Sequence, residues 1–352
     1  MVGSAIWRKL EKIGYDNLIG RSSKQLNLCD QQAVANFFEN EKPEYVFLAA
    51  AKVGGIMANN TYRAEFIYNN IQIQNNVIHQ SYLSGVKKLL FLGSSCIYPR
   101  DCPQPMKEEY FLTGELEKTN EPYSIAKIAG IKMCENYNRQ YKTNFISVMP
   151  TNLYGPNDNF DLNNAHVLPA LIRKIYLGKA LEGNNWDVIK SDLNKNPING
   201  INGNVSIDEI IKILNENGIS FGINNSSSNI DSNSVKINLW GTGKPSREFL
   251  HVDDLARACI FLIKELDANK LINENISLIN VGSGEEITIC DLAKMIKEIF
   301  KFKGKVEFGV IKLDGTPRKL LDSTRLNEMG WRNQISLKSG LVSALNEFKN
   351  CH

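Results

Sequence analysis

Three short runs in the first half of the chain, residues 45–51, 88–94 and 145–150, are almost entirely apolar and lack polar alternation. Strands of this composition are covered on both faces, as in parallel sheets. Long helical patterns at residues 65–84 and 122–141 separate the runs. Because alternating strands and helices are typical of a parallel sheet with helices on both faces, the sequence predicts a doubly wound α/β fold.

The remaining segments indicate two domains. Residues 16–21 (DNLIGR) are predicted to form a strand, and residues 30–40 a helix with Asp30 as its N-cap. Further helices are predicted at residues 166–177, 252–266 and 288–300, and short strands at residues 236–240 and 278–281. We therefore predict a sheet domain at residues 1–160 and a smaller, mainly substrate-binding α/β lobe at residues 161–352.

Residues 183–235 are rich in Asn, Ser and Gly and differ in composition from the rest of the second half. One helix is predicted there, at residues 206–217, with Ser206 and Glu209 as a capping box and Gly218 as C-cap. Its apolar face needs a docking surface, because an uncovered face would leave an exposed hydrophobic patch. We interpret the segment as an inserted subdomain with flexible flanks.

The composition argues against several classes of partner. The chain carries 41 basic and 38 acidic residues, and this net charge of +3 indicates neither nucleic acid nor an anionic membrane as a partner. No apolar run approaches the roughly 20 residues of a membrane-spanning helix, and we expect no export signal. Seven scattered cysteines without C-x-x-C spacing favour a reduced, cytoplasmic protein without structural zinc.

The motif PYSIAK places Tyr123 and Lys127 four residues apart, on one face of a predicted helix. An ammonium group beside a phenol favours the phenolate and lowers its pKa from about 10. Such a tyrosine can pass a proton to a ketone oxygen while hydride reaches the carbon. Taken alone, the spacing is more typical of an ordinary surface helix.

A serine-containing turn directly follows the second apolar run. Ligands of a doubly wound sheet lie at the carboxyl ends of its strands, where the Ser94 hydroxyl can bind a substrate carbonyl together with Tyr123. Cys96 is a candidate base for a proton next to a ketone, although a single cysteine is more often a small buried hydrophobe. His166 is a candidate acid or an ordinary polar residue at a helix start. The four histidines show no metal-ligand spacing.

Six segments together resemble the GDP-L-fucose synthase family of extended short-chain dehydrogenases/reductases: AAAKVGGIMANN, SSCIYP, NEPYSIAKIAG, MPTNLYGPNDNF, WGTGKPSREFLHVDD and DGTPRKLLD. The resemblance covers nearly the whole chain outside residues 183–235. It implies a Rossmann-type fold and NADPH-dependent 3,5-epimerisation and 4-reduction of GDP-4-keto-6-deoxy-D-mannose. It also implies site roles: a reductase triad of Ser94, Tyr123 and Lys127, and an epimerisation acid/base pair of Cys96 and His166.

NADP(H) is the cofactor that the sequence favours. An NAD enzyme of this fold places an acid after the second strand, whereas this chain has Arg21, Ser23 and Lys24, which would accept a 2′-phosphate. On sequence alone a solvated basic turn explains the pattern equally well. By resemblance, the cofactor site also takes residues from turns and strand ends. They are Gly3, Asp30, Ala49, Ala50, Ala51, Leu92, Gly93, Ser94, Ser95, Lys127, Pro150, Asn152, Leu153 and His166.

The resemblance further implies that a GDP-linked keto-deoxy sugar binds in the second half of the chain. Cations suit its pyrophosphate, and an indole ring offers a flat apolar surface. The implied substrate-binding positions are Lys174, Trp240, Arg247 and Asp314. The helices at residues 65–84 and 122–141 resemble the pair that forms a dimer interface in this superfamily, so we expect a homodimer.

Two departures from the family pattern leave alternatives open. The chain retains only the last glycine of the cofactor-binding fingerprint, Gly3, so we expect the first strand of the sheet to be missing. An inactive remnant that acts only as a binding or dimer-partner protein is one alternative. The insert at residues 183–235 is the second departure, and it leaves a related GDP-4-keto-6-deoxy-heptose open as the substrate.

Overall fold

A computed structural model describes residues 1–222, 234–309 and 316–351. The chain forms two compact units, each assembled from three separate stretches. Unit 1 comprises Met1–Leu153, Glu248–Glu285 and Lys319–Ile335. Unit 2 comprises Tyr154–Arg247, Glu286–Arg318 and Ser336–His352. Neither unit is a continuous half of the chain.

Helices and short strands alternate along the described residues. The strands are β1 (Tyr45–Leu48), β2 (Lys88–Leu92), β3 (Phe145–Pro150), β4 (Asn152–Tyr154), β5 (Ile219–Ser220), β6 (Lys236–Trp240), β7 (Ser246–His251), β8 (Ile279–Val281), β9 (Glu286–Thr288), β10 (Lys305–Gly309) and β11 (Arg318–Lys319). The helices are α1 (Val2–Lys12), α2 (Gln31–Glu41), α3 (Ile56–Thr61), α4 (Arg63–Leu83), α5 (Glu121–Tyr141), α6 (Val167–Glu182), α7 (Trp186–Lys195), α8 (Ile207–Glu216), α9 (Val252–Glu265), α10 (Ala268–Asn273), α11 (Ile289–Phe300), α12 (Thr324–Glu328) and α13 (Leu337–Cys351). Single 3₁₀ turns cover Ser95–Ile97 and Glu108–Tyr110.

Unit 1 contains a parallel four-stranded sheet in the order β1–β2–β3–β8. Every residue of β2 and β3 is buried, as their apolar sequences predict. Leu90 and Leu92 join the hydrophobic cluster that contains α9 and Ala5 of α1. Leu89 and Phe91 join the opposite cluster, with residues of α2, α4 and α5. The doubly wound α/β fold is therefore confirmed.

The predicted strand at residues 16–21 is wrong. This segment has no strand assignment and pairs with none of the strands in the described part of the chain. Its apolar residue Ile19 is 37% exposed. In the described sheet β1 is an edge strand, and Tyr45 at its start is 54% exposed although its sequence is apolar. A short apolar run predicts a strand only where a neighbour supplies ladder hydrogen bonds.

The predicted helices of unit 1 are confirmed within a few residues. α4 packs along α5, and α5 begins with Pro122 in its first turn, as expected for a residue without an N–H group. Asp30 caps α2, since its side chain accepts a 3.0 Å hydrogen bond from the Ala33 N–H. The predicted strand near residues 278–281 is also confirmed, and as β8 it extends the sheet of unit 1.

Unit 2 contains a three-stranded sheet in the order β10–β6–β5, in which β10 pairs parallel to β6 and β5 antiparallel to it. A further sheet has the order β11–β7–β4, and β9 pairs with β7. The insert contributes β5 to the sheet of unit 2. Its predicted helix is confirmed as α8, with both hydrogen bonds of the Ser206–Glu209 capping box present. Ile210, Ile213 and Leu214 of α8 are buried, so the helix is docked.

A second helix of the insert, α7, was not predicted from the sequence. It is anchored by a salt bridge between Arg173 of α6 and Asp192 of α7, 2.7 Å apart and with both side chains fully buried. Arg173 also donates to the carbonyl oxygens of Phe160 and Asn196. Because a buried charge is costly unless it is paired, this ion pair fixes α7 to α6.

Candidate active site

The turn after β2 places a hydroxyl and a thiol at the carboxyl end of a central strand. Gly93 packs against the Met149 side chain, which would have to move for any larger residue, because a Cβ at Gly93 would lie 2.2 Å from the Met149 Cε atom. Ser94 then caps the 3₁₀ turn Ser95–Ile97, and its Oγ atom accepts a long hydrogen bond of 3.5 Å from the Cys96 N–H. Cys96 is half-buried and not in a disulfide. The close packing at Gly93 therefore fixes where the Ser94 and Cys96 side chains begin.

Helix α5 brings Tyr123 and Lys127 to the same strand end. The Lys127 Nζ atom donates a 2.8 Å hydrogen bond to the carbonyl oxygen of Leu92, the last residue of β2. The same ammonium lies 4.7 Å from the centre of the Phe91 ring and 5.7 Å from the centre of the Tyr123 ring. Lys127 is buried. The structure thus brings Ser94, Cys96, Tyr123 and Lys127 together, as the sequence predicted.

The electrostatics of the pair differ from the sequence-based expectation. Burial raises the pKa of the Tyr123 phenol, so the predicted lowering by Lys127 is wrong for the protein alone. Burial also lowers the pKa of Lys127 to about 8. A negative charge on Cys96 raises the pKa of both Tyr123 and Lys127. On Lys127 it therefore opposes the effect of burial. The three side chains are therefore electrostatically linked, and near neutral pH the phenol is protonated.

The N-terminus of α1 fits the phosphates of a dinucleotide. Gly3 lies in the first turn of this helix, and a Cβ on it would lie 3.8 Å from the Cβ of Ala49, just after β1. The first N–H groups of a helix lack intrahelical acceptors and carry the positive end of the helix dipole. Ala49, Ala50 and Ala51 follow β1 and are half-buried, which leaves room beside the backbone. These residues fit the NADP(H) that the family implies.

The basic turn has partners of its own. Arg21 forms a 2.5 Å salt bridge with Glu41 of α2, and its guanidinium lies 5.6 Å from the centre of the Phe37 ring. Ser23 and Lys24 are exposed. A 2′-phosphate would therefore compete with Glu41 for Arg21, whereas Lys24 has an exposed side chain that can turn towards it.

The predicted cofactor residues on and after β2 and β3 lie at strand ends of unit 1. Ser95 is buried in the 3₁₀ turn, and Pro150 ends β3. Asn152 and Leu153 follow in β4, and the Asn152 amide donates a 2.8 Å hydrogen bond to the Glu248 carbonyl. These positions share the carboxyl-terminal edge of the sheet, where doubly wound folds bind ligands.

Four predicted residues lie in unit 2. His166 is exposed and precedes α6, where its carbonyl accepts the first helical hydrogen bond, from Ala170. Lys174 lies two turns further along α6, with its Nζ atom 6.0 Å from the centre of the Trp240 ring. Trp240 is 60% exposed, and Arg247 is half-buried in β7. The cation and the indole ring thus share one surface of unit 2.

Asp314, the fourth predicted substrate-binding position, lies outside the described residues.

Among the described residues, no three His, Cys, Asp or Glu side chains cluster as metal ligands would. Within the same part of the chain, no helix is both long enough and apolar enough to cross a membrane.

The comparisons with known proteins agree with this arrangement. Residues 1–194 and 220–282 match the model of the NAD dependent epimerase/dehydratase family. A GDP-L-fucose synthase from Escherichia coli (strain K12) is 47% identical over 350 residues, which cover 99% of this chain and 93% of the relative. The chain belongs to this family and, within it, to the GDP-L-fucose synthase group.

Further members resemble the chain over nearly its full length. A putative GDP-L-fucose synthase 2 from Arabidopsis thaliana is 50% identical over 341 residues, 97% of this chain and 86% of the relative. Among solved structures, a GDP-D-glycero-L-gluco-heptose synthase from Campylobacter jejuni, crystallised in the presence of NADPH, is 40% identical. It superposes with a TM-score of 0.87 and covers 99% of this chain and 95% of its own.

Two residues at the site were missed by sequence reasoning. Phe66 of α4 packs edge-on against Tyr123, with ring centres 6.4 Å apart. Ser124 of α5 donates a 2.9 Å hydrogen bond from its Oγ atom to the Cys96 carbonyl. The sequence shows that Ser124 follows Tyr123 in the motif PYSIAK. It does not show that Ser124 hydrogen-bonds to Cys96, because the two residues are 28 positions apart in the chain.

Proposed function

We propose that the protein is an NADP(H)-dependent epimerase/reductase that converts GDP-4-keto-6-deoxy-D-mannose to GDP-L-fucose. The observation that carries the proposal is the grouping of Ser94, Cys96, Tyr123 and Lys127 at the carboxyl end of β2. A hydroxyl, a thiol, a phenol and an ammonium group together suit both proton transfer next to a ketone and reduction of that ketone. Membership of the GDP-L-fucose synthase group supports the same assignment.

In the first stage the ketone at C4 acidifies the protons at C3 and C5. Cys96 removes a proton as thiolate, and the family resemblance assigns His166 as the acid that returns a proton, so that each centre is inverted. The hydroxyls of Ser94 and Tyr123 donate hydrogen bonds to the developing oxyanion at C4 and so lower the barrier. The raised pKa of Tyr123 suits this role, because a protonated phenol is a hydrogen-bond donor.

In the second stage the same oxyanion site serves reduction. NADPH, when bound, supplies the hydride for C4. Tyr123 donates its proton to the C4 oxygen, and the nearby Lys127 ammonium stabilises the resulting phenolate. The hydrogen bond of Lys127 to the Leu92 carbonyl holds the ammonium 5.7 Å from the centre of the Tyr123 ring. One oxyanion site for both stages accounts for two reactions in one protein.

We assign recognition of the GDP moiety to Lys174, Trp240 and Arg247 of unit 2, with Asp314 as a further candidate. Lys174 and Arg247 supply positive charge for the pyrophosphate. Trp240 is 60% exposed and offers an aromatic ring for stacking beside the Lys174 ammonium.

A GDP-4-keto-6-deoxy-heptose is the second candidate substrate. The observation that favours it is the likeness to Campylobacter jejuni proteins, which include a GDP-6-OMe-4-keto-L-xylo-heptose reductase with a TM-score of 0.88 and 40% identity. Both sugars present a ketone at C4 to the same four side chains, so the choice depends on the space near C5.

We further propose that the protein is a homodimer that pairs through α4 and α5. These helices carry exposed apolar side chains: Tyr68 at 62%, Leu83 at 59% and Tyr141 at 43%. Exposed apolar groups on adjacent helices favour association with a second copy. The molar mass is measured by size-exclusion chromatography with light scattering. A monomeric mass for a Tyr68→Lys variant and a dimeric mass for the wild-type protein would support this interface.

We propose the cytoplasm as the compartment. The six described cysteines, Cys29, Cys96, Cys102, Cys134, Cys259 and Cys290, are free thiols, which suits a reducing environment. Fractionation of the source cells with an antibody against the protein tests this assignment.

The function is tested by incubating the protein with NADPH and GDP-4-keto-6-deoxy-D-mannose, and separately with the corresponding heptose. We expect NADPH oxidation and, by NMR, a product with the L-galacto configuration at C3, C4 and C5. A Tyr123→Phe variant serves as the inactive control. Absence of both NADPH binding and turnover in the wild-type protein would instead favour the inactive binding protein, and faster turnover of the heptose would reassign the substrate.

A further inference from the structure

Ser124 connects the residue that we assign as epimerisation base to the helix of the reductase residues. Its side chain is fully buried, and its Oγ atom lies 2.9 Å from the carbonyl oxygen of Cys96. The hydroxyl hydrogen points to the carbonyl, because a carbonyl oxygen can only accept. A buried hydroxyl of α5 therefore holds the backbone of the thiol-bearing residue.

Ser124 lies on a different face of α5 from the reductase residues Tyr123 and Lys127. Tyr123 and Lys127 are four residues apart and share one face of the helix. Ser124 is rotated by about 100° from Tyr123, because a helix has 3.6 residues per turn. Its hydroxyl thus reaches the 3₁₀ turn, while Tyr123 and Lys127 keep their own contacts with Phe66 and Leu92.

Contacts that do not involve Ser124 hold the chain on both sides of Cys96. Upstream, Gly93 is packed against Met149 and donates to the Val148 carbonyl. Downstream, the Ile97 side chain is fully buried, and the Tyr98 hydroxyl donates a 2.6 Å hydrogen bond to Asn280. Cys96 lies between these anchors, and within the described residues its own N–H contacts Ser94 Oγ at a long 3.5 Å. The Ile97 N–H closes the turn through a 3.2 Å hydrogen bond to the Ser94 carbonyl, and the Ser124 hydrogen bond adds a short polar contact directly on the Cys96 carbonyl.

We propose that Ser124 is a positioning residue for the Cys96 thiol, which makes it specific to the epimerisation stage. The proposal rests on the function assigned above. Loss of the hydroxyl leaves Tyr123, Lys127 and Ser94 in place but releases the peptide that carries the thiol. Epimerisation should then slow more than reduction, since proton abstraction depends steeply on the distance to the base.

The test compares Ser124→Ala with Ser81→Ala as a matched control. Ser81 of α4 is also fully buried in unit 1 and donates a 2.7 Å hydrogen bond to a backbone carbonyl, that of Val77. Epimerisation is measured as deuterium uptake at C3 and C5 of GDP-4-keto-6-deoxy-D-mannose in D₂O without NADPH. Reduction is measured as NADPH oxidation with the keto sugar already epimerised by wild-type protein.

We expect Ser124→Ala to lower the kcat of deuterium uptake about tenfold or more, because a misplacement near 1 Å costs up to ~100-fold. Reduction of the epimerised sugar should stay within about twofold, and Ser124→Thr, which keeps the hydroxyl, should recover part of the uptake. Equal losses in both assays, or equal effects of Ser81→Ala, would overturn the proposal.

A substrate-independent readout separates this proposal from the function itself. Alkylation of Cys96 by iodoacetamide, followed by peptide mass spectrometry, reports the position of the thiol whatever the sugar. We expect several-fold faster alkylation in Ser124→Ala than in the wild type and no change in Ser81→Ala. An unchanged rate would overturn the positioning role, whereas an altered rate in a protein without turnover would overturn only the assigned reaction.

Discussion

The ammonium of Lys127 and the carbonyl oxygen of Leu92 are 2.8 Å apart, and this hydrogen bond joins α5 to the end of β2. It fixes a buried ammonium 5.7 Å from the centre of the Tyr123 ring. Lys127 is therefore held by a helix that is hydrogen-bonded to the sheet.

Replacing Lys127 with Met should lower the kcat of ketone reduction by about 100-fold or more, because the ammonium no longer stabilises the phenolate. Lys142→Met is the matched control, since the Lys142 ammonium also donates to a backbone carbonyl but is exposed on α5's C-cap. Steady-state NADPH oxidation measures the effect. Full activity of Lys127→Met would remove this residue from the mechanism.

Reduction should weaken as the pH rises through about 8. Burial lowers the pKa of Lys127 to about 8, so the ammonium is lost above this value while ordinary lysines remain charged. The profile of kcat against pH measures the effect, with deuterium uptake recorded in parallel. A profile that stays flat to pH 10 would show that the charge on Lys127 is not needed.

The protein should lose stability as the pH rises from about 4.5 to about 7 through the titration of Glu108. Burial raises the pKa of this carboxyl from 4.5 to about 7, so the folded protein binds the proton more tightly than the unfolded chain. The contribution is up to about 3 kcal/mol. Urea unfolding at pH 5 and pH 8 should show a smaller difference in Glu108→Gln than in the wild type.

Glu209→Gln is the control for this titration, because Glu209 is exposed, lies far along the chain from Glu108, and has its pKa lowered by hydrogen bonds from Ser206 rather than raised. It should keep the wild-type loss of stability between pH 5 and pH 8. Equal pH dependence in all three proteins would contradict the role of Glu108.

Arg173→Met should destabilise unit 2 by about 3–5 kcal/mol, because it leaves the Asp192 carboxylate buried without its cation. The double variant Arg173→Met/Asp192→Leu should recover much of that loss. Lys294→Met is the control, since its salt bridge with Asp291 is exposed to solvent and therefore adds little stability. Denaturant unfolding followed by intrinsic fluorescence measures the differences, and a mild effect of Arg173→Met would contradict the argument.

Trp240→Ala should raise the KM for the GDP-sugar by up to about tenfold while leaving kcat nearly unchanged, since stacking on an aromatic ring is worth about 0.5–1.5 kcal/mol. Trp186→Ala in the insert is the matched control in the same unit. Initial rates at varied sugar concentration separate the two constants. An unchanged KM would place the GDP moiety elsewhere.

The sequence predicted the elements whose signals are local. β2 and β3 are continuous apolar runs, and α5 carries its proline at the start, so each could be located without knowledge of the rest of the chain. α7 was missed although Asn185 caps it and Ile189 and Leu193 form its buried face. The Asn-rich surroundings favoured a loop, and the docking partner Arg173 lies outside the insert.

The contacts that complete the site are long-range, which is why they could not be predicted. The strand expected at residues 16–21 failed because a strand depends on a neighbour that its own sequence does not specify. The direction of the Tyr123 pKa was wrong because burial, which the motif does not reveal, raises it, and a negative charge on Cys96 raises it further. Ser124 gains its role only through the fold of the turn at Cys96.

Each unit draws on three separated stretches of polypeptide, and the last stretch of unit 1 ends at Ile335. During synthesis on the ribosome, neither unit can reach its complete set of contacts until nearly the entire chain has emerged. Nascent protein therefore spends most of its translation with β2 and β3 lacking part of their covering, a period in which chaperones protect such apolar strands from aggregation.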